Sequence, residues 1–324
     1  METKLNKTEK AVQKYCEALT KTIKELDEGW RRTWLTTKGG GKAQSGDGRP
    51  YNTMNQFLLY LMTDANGWNY PIYITFQKAH ELGAHVKKGE KANPVLFWCI
   101  NAYKNGQRIT IDEWRNLPRD EQKEWKTAPV LRTYDVFNID QTTLKEDNPK
   151  AYDKMANRFE IPEMKTEDGM YVNEKLDALI GGGWCCPIHP EKQDRAYYSM
   201  ATDTITLPLK AQFNVDDAET GGQEYYAAAL HEMAHSTGIE KRLNRNMGGG
   251  FGSEDYGREE LVAELTAAVC GHELGFNTRV EKNNAAYISS WLKSINEQPR
   301  FLVSVLSDVS KAVTMVHEHL EKVG

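Results

Sequence analysis

The sequence predicts an α+β protein of two domains, and three observations lead to this prediction. The chain has 324 residues, about twice the size of a common domain. Helical and strand-like apolar patterns both occur along it. The charge also changes along the chain: residues 1–142 carry 22 basic and 17 acidic side chains, whereas residues 143–324 carry 19 basic and 29 acidic ones. We expect one domain at 1–142, a charged linker at 143–165 and a second domain at 166–324.

Composition excludes several classes of protein. With 40% hydrophobic and 27% charged residues, the chain is neither collagen-like nor wholly disordered. No apolar run approaches the ~18 residues of a membrane span, and the start METKLNKTEK is charged, with no apolar segment behind it. The five cysteines are an odd number and include the adjacent Cys185 and Cys186, which makes a poor disulfide framework. We expect a cytoplasmic protein with reduced thiols and no membrane partner.

The elements of the first part follow from local patterns. Val12, Tyr15 and Leu19 recur at helical spacing, which predicts an amphipathic helix at 7–28. Glycine, lysine and small polar residues predict a basic loop at 30–52. The patterns that follow predict short helices at 53–65 and 75–82, a strand at 95–100, a polar insertion at about 101–128 and a second strand at 130–137 that can pair with the first.

The strongest chemical signal in the second part is an HExxH motif. His231 and His235 are four residues apart, so on a helix they project from one face and can bind one metal ion. Glu232 can then reach a water molecule at that ion and act as a general base. The preceding EYYAAAL favours a helix, and Gly238 favours its end. The alternative is an ordinary helix with two surface histidines.

A catalytic zinc site usually has three protein ligands, so the motif predicts a third ligand downstream. Segment 258–275 is an amphipathic pattern in which Glu260 and Glu264 share a face one turn apart. We expect Glu260 to be the ligand and Glu264 to accept a hydrogen bond from a ligand histidine. Glu259 and Glu260 could instead only favour the positive end of the helix dipole. His272 is a rival ligand, but it lies about 18 Å from Glu260 along the same helix.

Basic and aromatic residues are concentrated in the first part, where six of the eight tryptophans lie within residues 1–142. Lysine and arginine would neutralise phosphates while indole rings stack on unpaired bases, as in proteins that bind single-stranded nucleic acid. The candidate contacts are Trp30, Arg31, Arg32, Trp34, Lys38, Lys42, Arg49, Trp68, Lys87, Lys88 and Lys91. On charge and aromatic content alone, tryptophans in a core and lysines on a solvated face explain this pattern equally well.

These motifs resemble a known family. Residues 260–264, ELVAE, have the ExxAE form of the glutamate-ligand zincin metallopeptidases. HEMAHSTG, the RLNR of 242–245 and the FGSEDYGREELVAEL of 251–265 are similar to the metallopeptidase domain of ArdC-type antirestriction proteins of mobile elements. In the first part, GRPYNTMNQFLLY and ITFQKAHELGAHVKKGEKANPVLFW resemble the single-strand DNA-binding domain of the same family.

The resemblance implies functional assignments for both domains. The second domain would be a zincin-like metallopeptidase that holds Zn²⁺, or another divalent metal such as Mn²⁺, and hydrolyses an unknown protein substrate. Tyr256 would stabilise the oxyanion, and residues 203–207, DTITL, would be the edge strand for an extended substrate. The first domain would bind single-stranded DNA, and the protein would protect incoming mobile DNA from host restriction.

Two functions of other classes are also consistent with the sequence. The protein could bind DNA and use its metal site only for structure. Alternatively, it could be a protease whose basic domain recognises a protein.

Overall fold

The first domain is built on a five-stranded sheet. The structure, a computed structural model, describes residues 7–25, 41–159, 165–167, 170–213, 218–248, 253–275 and 299–324. The elements up to residue 138 are α1 (Lys7–Glu25), β1 (Gln44–Ser45), α2 (Thr53–Ala65), β2 (Ile72–Ile74), α3 (Phe76–Glu81), β3 (Asn93–Lys104), β4 (Gln107–Thr110), α4 (Ile111–Arg115), α5 (Arg119–Gln122) and β5 (Lys126–Asn138). The strand order is β1-β2-β5-β3-β4.

The two apolar runs predicted to pair form the long antiparallel ladder of β3 and β5. Asn93 is opposite Val136, and the pairing continues to Tyr103 opposite Lys126. The polar insertion adds β4 to the outer edge of β3 and contributes the short helices α4 and α5. The predicted strand pair is therefore confirmed, and it is several residues longer at its outer end than the apolar runs alone indicated.

Helices α1 and α2 form the core of this domain with the sheet. Val12, Tyr15 and Leu19 of α1 are buried, as their helical spacing predicted. The Tyr15 hydroxyl donates a hydrogen bond to the carbonyl of Met54 in α2. Helix α2 begins at the predicted residue, because Asn52 accepts a hydrogen bond from the backbone amide of Asn55 and so caps the first turn.

Residues 143–159, expected to be linker, are instead folded onto the first domain. They form α6 (Leu144–Asp147) and α7 (Pro149–Ala156) after a 3₁₀ turn at Ile139–Gln141. Their apolar side chains are buried in a small core with strand β2; this core includes Ile72, Ile74, Leu144, Tyr152 and Met155. The segment is charged overall, but one side of each short helix is apolar enough to pack.

The second domain combines two small sheets with three long helices. Its elements are β6 (Lys165–Glu167), β7 (Met170–Val172), α8 (Glu174–Ala178), a π-helical turn (Leu179–Gly183), β8 (Ile188–Glu191), β9 (Tyr197–Ser199), β10 (Thr204–Pro208), a 3₁₀ turn (Lys210–Phe213), α9 (Ala218–Thr237), α10 (Glu254–Glu273) and α11 (Pro299–Val323). No helix within the described ranges is both long and apolar enough to cross a bilayer.

The strand at 203–207 was expected to lie at a sheet edge, and this expectation was wrong. β10 is the middle strand of the order β8-β10-β9, parallel to β8 and antiparallel to β9. Both sides of β10 therefore already carry hydrogen-bonding partners. In the described part of this sheet, β9 is the edge strand that packs against α9.

One hydrophobic core runs through both domains. It joins side chains of α1, α2, β3 and β5 to side chains of α9, α10 and α11. At the boundary the ring of Tyr60 in α2 packs against His272 of α10, with centroids 3.9 Å apart. Beside this contact, Lys42 forms an ion pair with Glu273. The two domains therefore bury apolar surface against each other rather than being joined by a flexible tether.

This shared core predicts that Tyr60→Ala destabilises both domains together. The Tyr60 ring is fully buried, and removing a buried aromatic side chain costs about 3–5 kcal/mol. Urea denaturation should show one cooperative transition, shifted to lower urea for the variant. Tyr197→Ala is the control, because that ring is 47% exposed and its loss should change stability by less than about 0.5 kcal/mol. Two separate transitions, with only the first shifted, would show that the domains unfold independently.

Candidate metal centre and basic surface

Helix α9 places the two histidines of the HExxH motif side by side. Because His231 and His235 are four residues apart, their rings lie on one face, and their Nε2 atoms are 3.0 Å apart. Both side chains are mostly buried, at 19% and 13% exposure. Two imidazole nitrogens this close, in a mostly buried position, can provide two corners of a metal site.

Glu260 of α10 supplies the third corner. Its two carboxylate oxygens lie 3.5 Å from Nε2 of His231 and 3.6 Å from Nε2 of His235. Ligands about 2.0–2.1 Å from a tetrahedral ion are separated from one another by about 3.3 Å. The three observed separations bracket this value, so these residues fit a divalent metal ion without rearrangement of the backbone. Among the described residues this is the one cluster of histidine, cysteine and carboxylate side chains with such spacing.

The carboxylates determine the protonation of this cluster when no metal is bound. Burial raises the pKa of Glu260, but hydrogen bonds from His231 and Tyr256 and the charges of both histidines outweigh burial and lower the pKa to about 2. Burial lowers the pKa of His231, but Glu260, Glu264 and Glu232 outweigh it and raise the pKa to about 10. At neutral pH Glu260 is ionised, and metal binding must displace a proton from His231.

Glu232 and Tyr256 both lie at the cluster. Glu232 is buried, with 7% exposure, and its charge contributes to the raised pKa of the adjacent His231. Tyr256 is one turn before Glu260 on α10 and hydrogen-bonds to the Glu260 carboxylate. The Tyr256 backbone amide donates to Ser253 Oγ, which caps this end of α10 and fixes the start of the helix. A carboxylate and a phenol are thus both available next to the metal position.

Two further carboxylates contact the outer nitrogens of the histidines. Glu264 lies 3.5 Å from Nδ1 of His231, the position expected from the sequence. Glu259 lies 3.3 Å from Nδ1 of His235, a role that the sequence interpretation did not assign to it. A carboxylate at Nδ1 fixes the ring orientation and the tautomer that leaves Nε2 free for metal. Each ligand histidine therefore has its own orienting glutamate.

A buried arginine holds Glu259 in place. Arg245 donates two hydrogen bonds to the Glu259 carboxylate, at 2.9 and 2.6 Å, and two more to Thr237 Oγ1 and the Ala234 carbonyl on α9. Burial raises the pKa of Glu259, but the Arg245 hydrogen bonds outweigh it and lower the pKa. The pair therefore connects α9 to α10 with both groups charged. The available signal in the sequence was the RLNR motif of 242–245 together with the adjacent pair Glu259 and Glu260, fourteen residues beyond Arg245.

The other arginine of RLNR fixes the end of α9. Arg242 makes two hydrogen bonds of 2.8 Å to Asp203, at the start of β10, and donates to the carbonyls of Ser236 and Cys185. Burial raises the pKa of Asp203, but Arg242 and Lys241 outweigh it and hold the pKa well below its usual range. The turn after the HExxH helix is therefore anchored to the sheet beside it.

His272, the rival ligand, is not part of the metal cluster. It is buried against Tyr60 at the domain boundary, and burial lowers its pKa to about 3. The sequence predicted that His272 and Glu260 are too far apart along one helix to share an ion, and the placement of His272 agrees with this prediction.

The predicted nucleic-acid contacts have different environments. Trp30, Arg31, Arg32, Trp34 and Lys38 lie outside the described residues. Trp68 packs edge-on against Tyr73, with centroids 6.1 Å apart, and so belongs partly to the core. Lys42 pairs with Glu273, and Lys87 pairs with Glu146. Arg49, Lys88 and Lys91 are exposed.

Two protein families match separate parts of the chain. Residues 9–137 match the family described as the N-terminal domain of anti-restriction factor ArdC. Residues 174–307 match the family described as zincin-like metallopeptidase, which contains the whole metal cluster. Both matches fall where the sequence motifs placed them, and they confirm the resemblance.

Curated relatives and solved structures agree with this division. DNA primase TraC of Escherichia coli is 29% identical over 306 residues, and these span 92% of this chain but only 26% of TraC. An uncharacterised protein of Sinorhizobium fredii is 28% identical over 269 residues, which are 83% of this chain and 78% of that protein. The metal-free structure of antirestriction protein ArdC from plasmid R388 has a TM-score of 0.69 at 24% identity, over 96% of this chain and 98% of ArdC. Its Mn(II)-bound structure has a TM-score of 0.64 at 24% identity, over 95% of this chain and 97% of ArdC. This likeness shows the fold.

The contacts of Glu259 predict that Glu259→Gln weakens metal binding without removing a ligand. The amide no longer favours the proton on Nδ1 of His235, and loss of such a partner typically costs 10–100-fold in metal affinity. The measurement is competition for Zn²⁺ against a chelator of known affinity, with His235→Ala as the reference for a lost ligand.

Glu273→Gln is the matched control for this experiment. Glu273 is a buried carboxylate on the same helix, but it pairs with Lys42 and His317 at the domain boundary. It should leave metal affinity unchanged. Equal affinity of Glu259→Gln and the wild type would mean that Glu259 does not orient His235.

Proposed function

Because the chain joins an ArdC-type N-terminal domain to a zincin-like metallopeptidase domain, we propose that it is an antirestriction protein with two activities. The second domain hydrolyses peptide bonds with a divalent metal, and the first domain binds single-stranded DNA. Together they protect incoming DNA of a mobile element from host restriction. The metal is Zn²⁺, with Mn²⁺ as the alternative.

The observation that carries the peptidase assignment is the cluster of His231, His235 and Glu260 with Glu232 beside it. Three protein ligands leave an open position, which is the arrangement of catalytic rather than structural zinc sites. A closed structural site would present a fourth protein ligand. Among the described residues, Glu259 and Glu264 approach only the outer nitrogens of the histidines and so do not supply it.

The residues around the cluster can divide the steps of peptide hydrolysis. A divalent ion held by His231, His235 and Glu260 would lower the pKa of a water molecule to about 7 and so supply the nucleophile near neutral pH. Glu232 accepts the proton of the attacking water and delivers it to the nitrogen of the leaving amine. The Tyr256 hydroxyl donates a hydrogen bond to the oxyanion that forms on the former carbonyl. Glu259 and Glu264 keep the histidine rings oriented throughout.

The support for DNA binding lies in the first domain. This domain carries the positive balance of charge and six of the eight tryptophans. It also matches the family of the N-terminal domain of anti-restriction factor ArdC. Arg49, Lys88 and Lys91 are exposed and available to phosphates. The proposed ligand is single-stranded rather than duplex DNA, because flat rings contribute most where bases have a free face.

Glu232→Gln should abolish peptide hydrolysis while keeping metal and fold. The amide has the same shape but cannot accept a proton, so turnover should fall by about 10²–10⁴-fold. Cleavage of a fluorogenic peptide library by the metal-loaded protein gives the rate, and metal analysis gives the occupancy. Glu240→Gln, an exposed glutamate just beyond α9, is the control and should cleave like wild type.

Two outcomes would contradict the proposed role of the site. Equal cleavage by Glu232→Gln and wild type would remove Glu232 from the mechanism. Full antirestriction activity of Glu232→Gln would favour a metal site that serves only structure.

The intact protein should bind single-stranded DNA more tightly than duplex DNA. Affinity should fall with rising salt, by about 0.7 in the logarithm of the binding constant per decade of salt for each phosphate contacted. Fluorescence anisotropy of a labelled oligonucleotide over a salt series, single-stranded and then annealed, measures both. Absence of binding at low salt would favour a basic domain that recognises a protein instead.

A further inference from the structure

The paired strands β3 and β5, with the β3–β4 hairpin at their outer end, place a set of aromatic and basic side chains on one face of the sheet. Directly opposite residues of an antiparallel pair point to the same side. Phe97 is opposite Arg132, Tyr134 is opposite Val95, and Tyr103 lies between Lys126 of β5 and Arg108 of β4. We call Phe97, Tyr103, Tyr134, Arg108, Lys126 and Arg132 the hairpin face.

Both tyrosines of this face are exposed to solvent, and Phe97 is partly exposed. Val95 and Val136 at its inner end are buried, and exposure begins at Tyr134, which is 40% exposed. The Phe97 ring meets Tyr134 edge-on, with centroids 5.0 Å apart and planes at 66°. Tyr103, 36% exposed, lies about 20 Å further out along β3. An exposed tyrosine packed against a partly exposed phenylalanine, with a second exposed tyrosine on the same face, is consistent with a binding surface.

The cations of the hairpin face form no ion pair with a described residue, although the charge of Arg108 helps to lower the pKa of Glu113. Within the described residues, Arg108, Lys126 and Arg132 form no ion pair, and the strand positions that share this face include no acidic residue. The opposite face differs in both respects. Its lysine, Lys104, is paired with Glu124, and its aspartate, Asp135, is paired with Lys14 of α1.

A further cation reaches the inner end of the hairpin face from another segment. The charge of Arg49 opposes the rise that burial causes in the pKa of the Tyr134 hydroxyl. Three residues after Arg49, the Asn52 amide donates a hydrogen bond to the Leu96 carbonyl, so this segment runs along β3 beside Phe97. Arg49 is exposed and its side chain forms no ion pair with a described residue. Two cations that form no ion pair with a described residue are therefore available to the aromatic pair, Arg132 opposite Phe97 in the ladder and Arg49 on the neighbouring segment.

We propose that the hairpin face is the platform on which single-stranded DNA lies, with bases stacked on Phe97 and Tyr134 and phosphates at Arg49 and Arg132. The outer group of Tyr103, Arg108 and Lys126 continues this track. The inference rests on the proposed DNA binding and assigns it to a surface that does not involve the tryptophans. Open aromatic rings beside unpaired cations match a polyanion whose bases are free, because a duplex offers phosphates but no exposed base faces.

The first experiment measures the stacking contribution in the full-length protein, because the two domains share one core. Phe97→Ala and Tyr134→Ala should each weaken binding of a labelled oligothymidine at least about fivefold at every salt concentration, with the slope against salt unchanged. Trp98→Ala is the matched control. It is the next residue on the same strand and is 52% exposed, but it points to the opposite face.

The second experiment measures the phosphate contact and does not depend on an aromatic deletion. Arg132→Gln should reduce the slope of log affinity against log salt by about 0.7, as expected for one lost contact to a single strand. Lys104→Gln, whose lysine is paired on the other face, should leave the slope unchanged. Thermal unfolding of each variant verifies that the fold is retained.

The outcomes separate this inference from the function on which it rests. If the wild type and the Phe97, Tyr134 and Arg132 variants bind oligothymidine with equal affinity, the hairpin face is not the platform. The proposed DNA binding itself would not be contradicted by this result. If Trp98→Ala is the variant that loses affinity, the DNA lies on the opposite face. No binding by the wild type overturns both the platform and the proposed DNA binding.

Discussion

The packing of α9 against α10 is the constraint on which the functional part of the molecule depends. The HExxH histidines and Glu260 come from different helices, and only their contact brings three ligand atoms within 3.6 Å of their neighbours. The ion pair of Arg245 and Glu259 crosses the same contact and is almost completely buried. A buried pair of this kind fixes the relative position of two helices, because removing either partner leaves an uncompensated charge that costs about 3–5 kcal/mol.

Electrostatics at the site follow from the same contact. Glu232, Glu259, Glu260 and Glu264 lie around two imidazole rings, which concentrates negative charge in a poorly hydrated place. Arg245 neutralises Glu259, the most deeply buried of these carboxylates. The remaining charge attracts a proton to His231 when the site is free of metal and favours a divalent cation when one is available. The negative charge of these glutamates is costly to bury, and the same charge favours a bound divalent cation.

The common core of the two domains has a functional consequence. Because α1 and α2 pack against α10 and α11, the sheet of the first domain has a fixed orientation relative to the metal site. A DNA strand on the hairpin face and a peptide at His231 would be held by one body rather than by two tethered ones. The charged segment at 143–159 supports this arrangement, since it is folded onto the first domain instead of separating the domains.

The sequence by itself determined the local elements and the candidate ligands, because their signals repeat over one or two helical turns. The spacing of Val12, Tyr15 and Leu19 predicted a buried helix face, and the spacing of His231 and His235 predicted a shared metal face. Only the tertiary structure decided which neighbours the polar groups meet. It made Glu259 a partner of His235 and Arg245, gave β10 the middle position in its sheet, and packed Phe97 against Tyr134. The physical reason is that such contacts join segments distant in the chain, where no periodicity in the sequence records them.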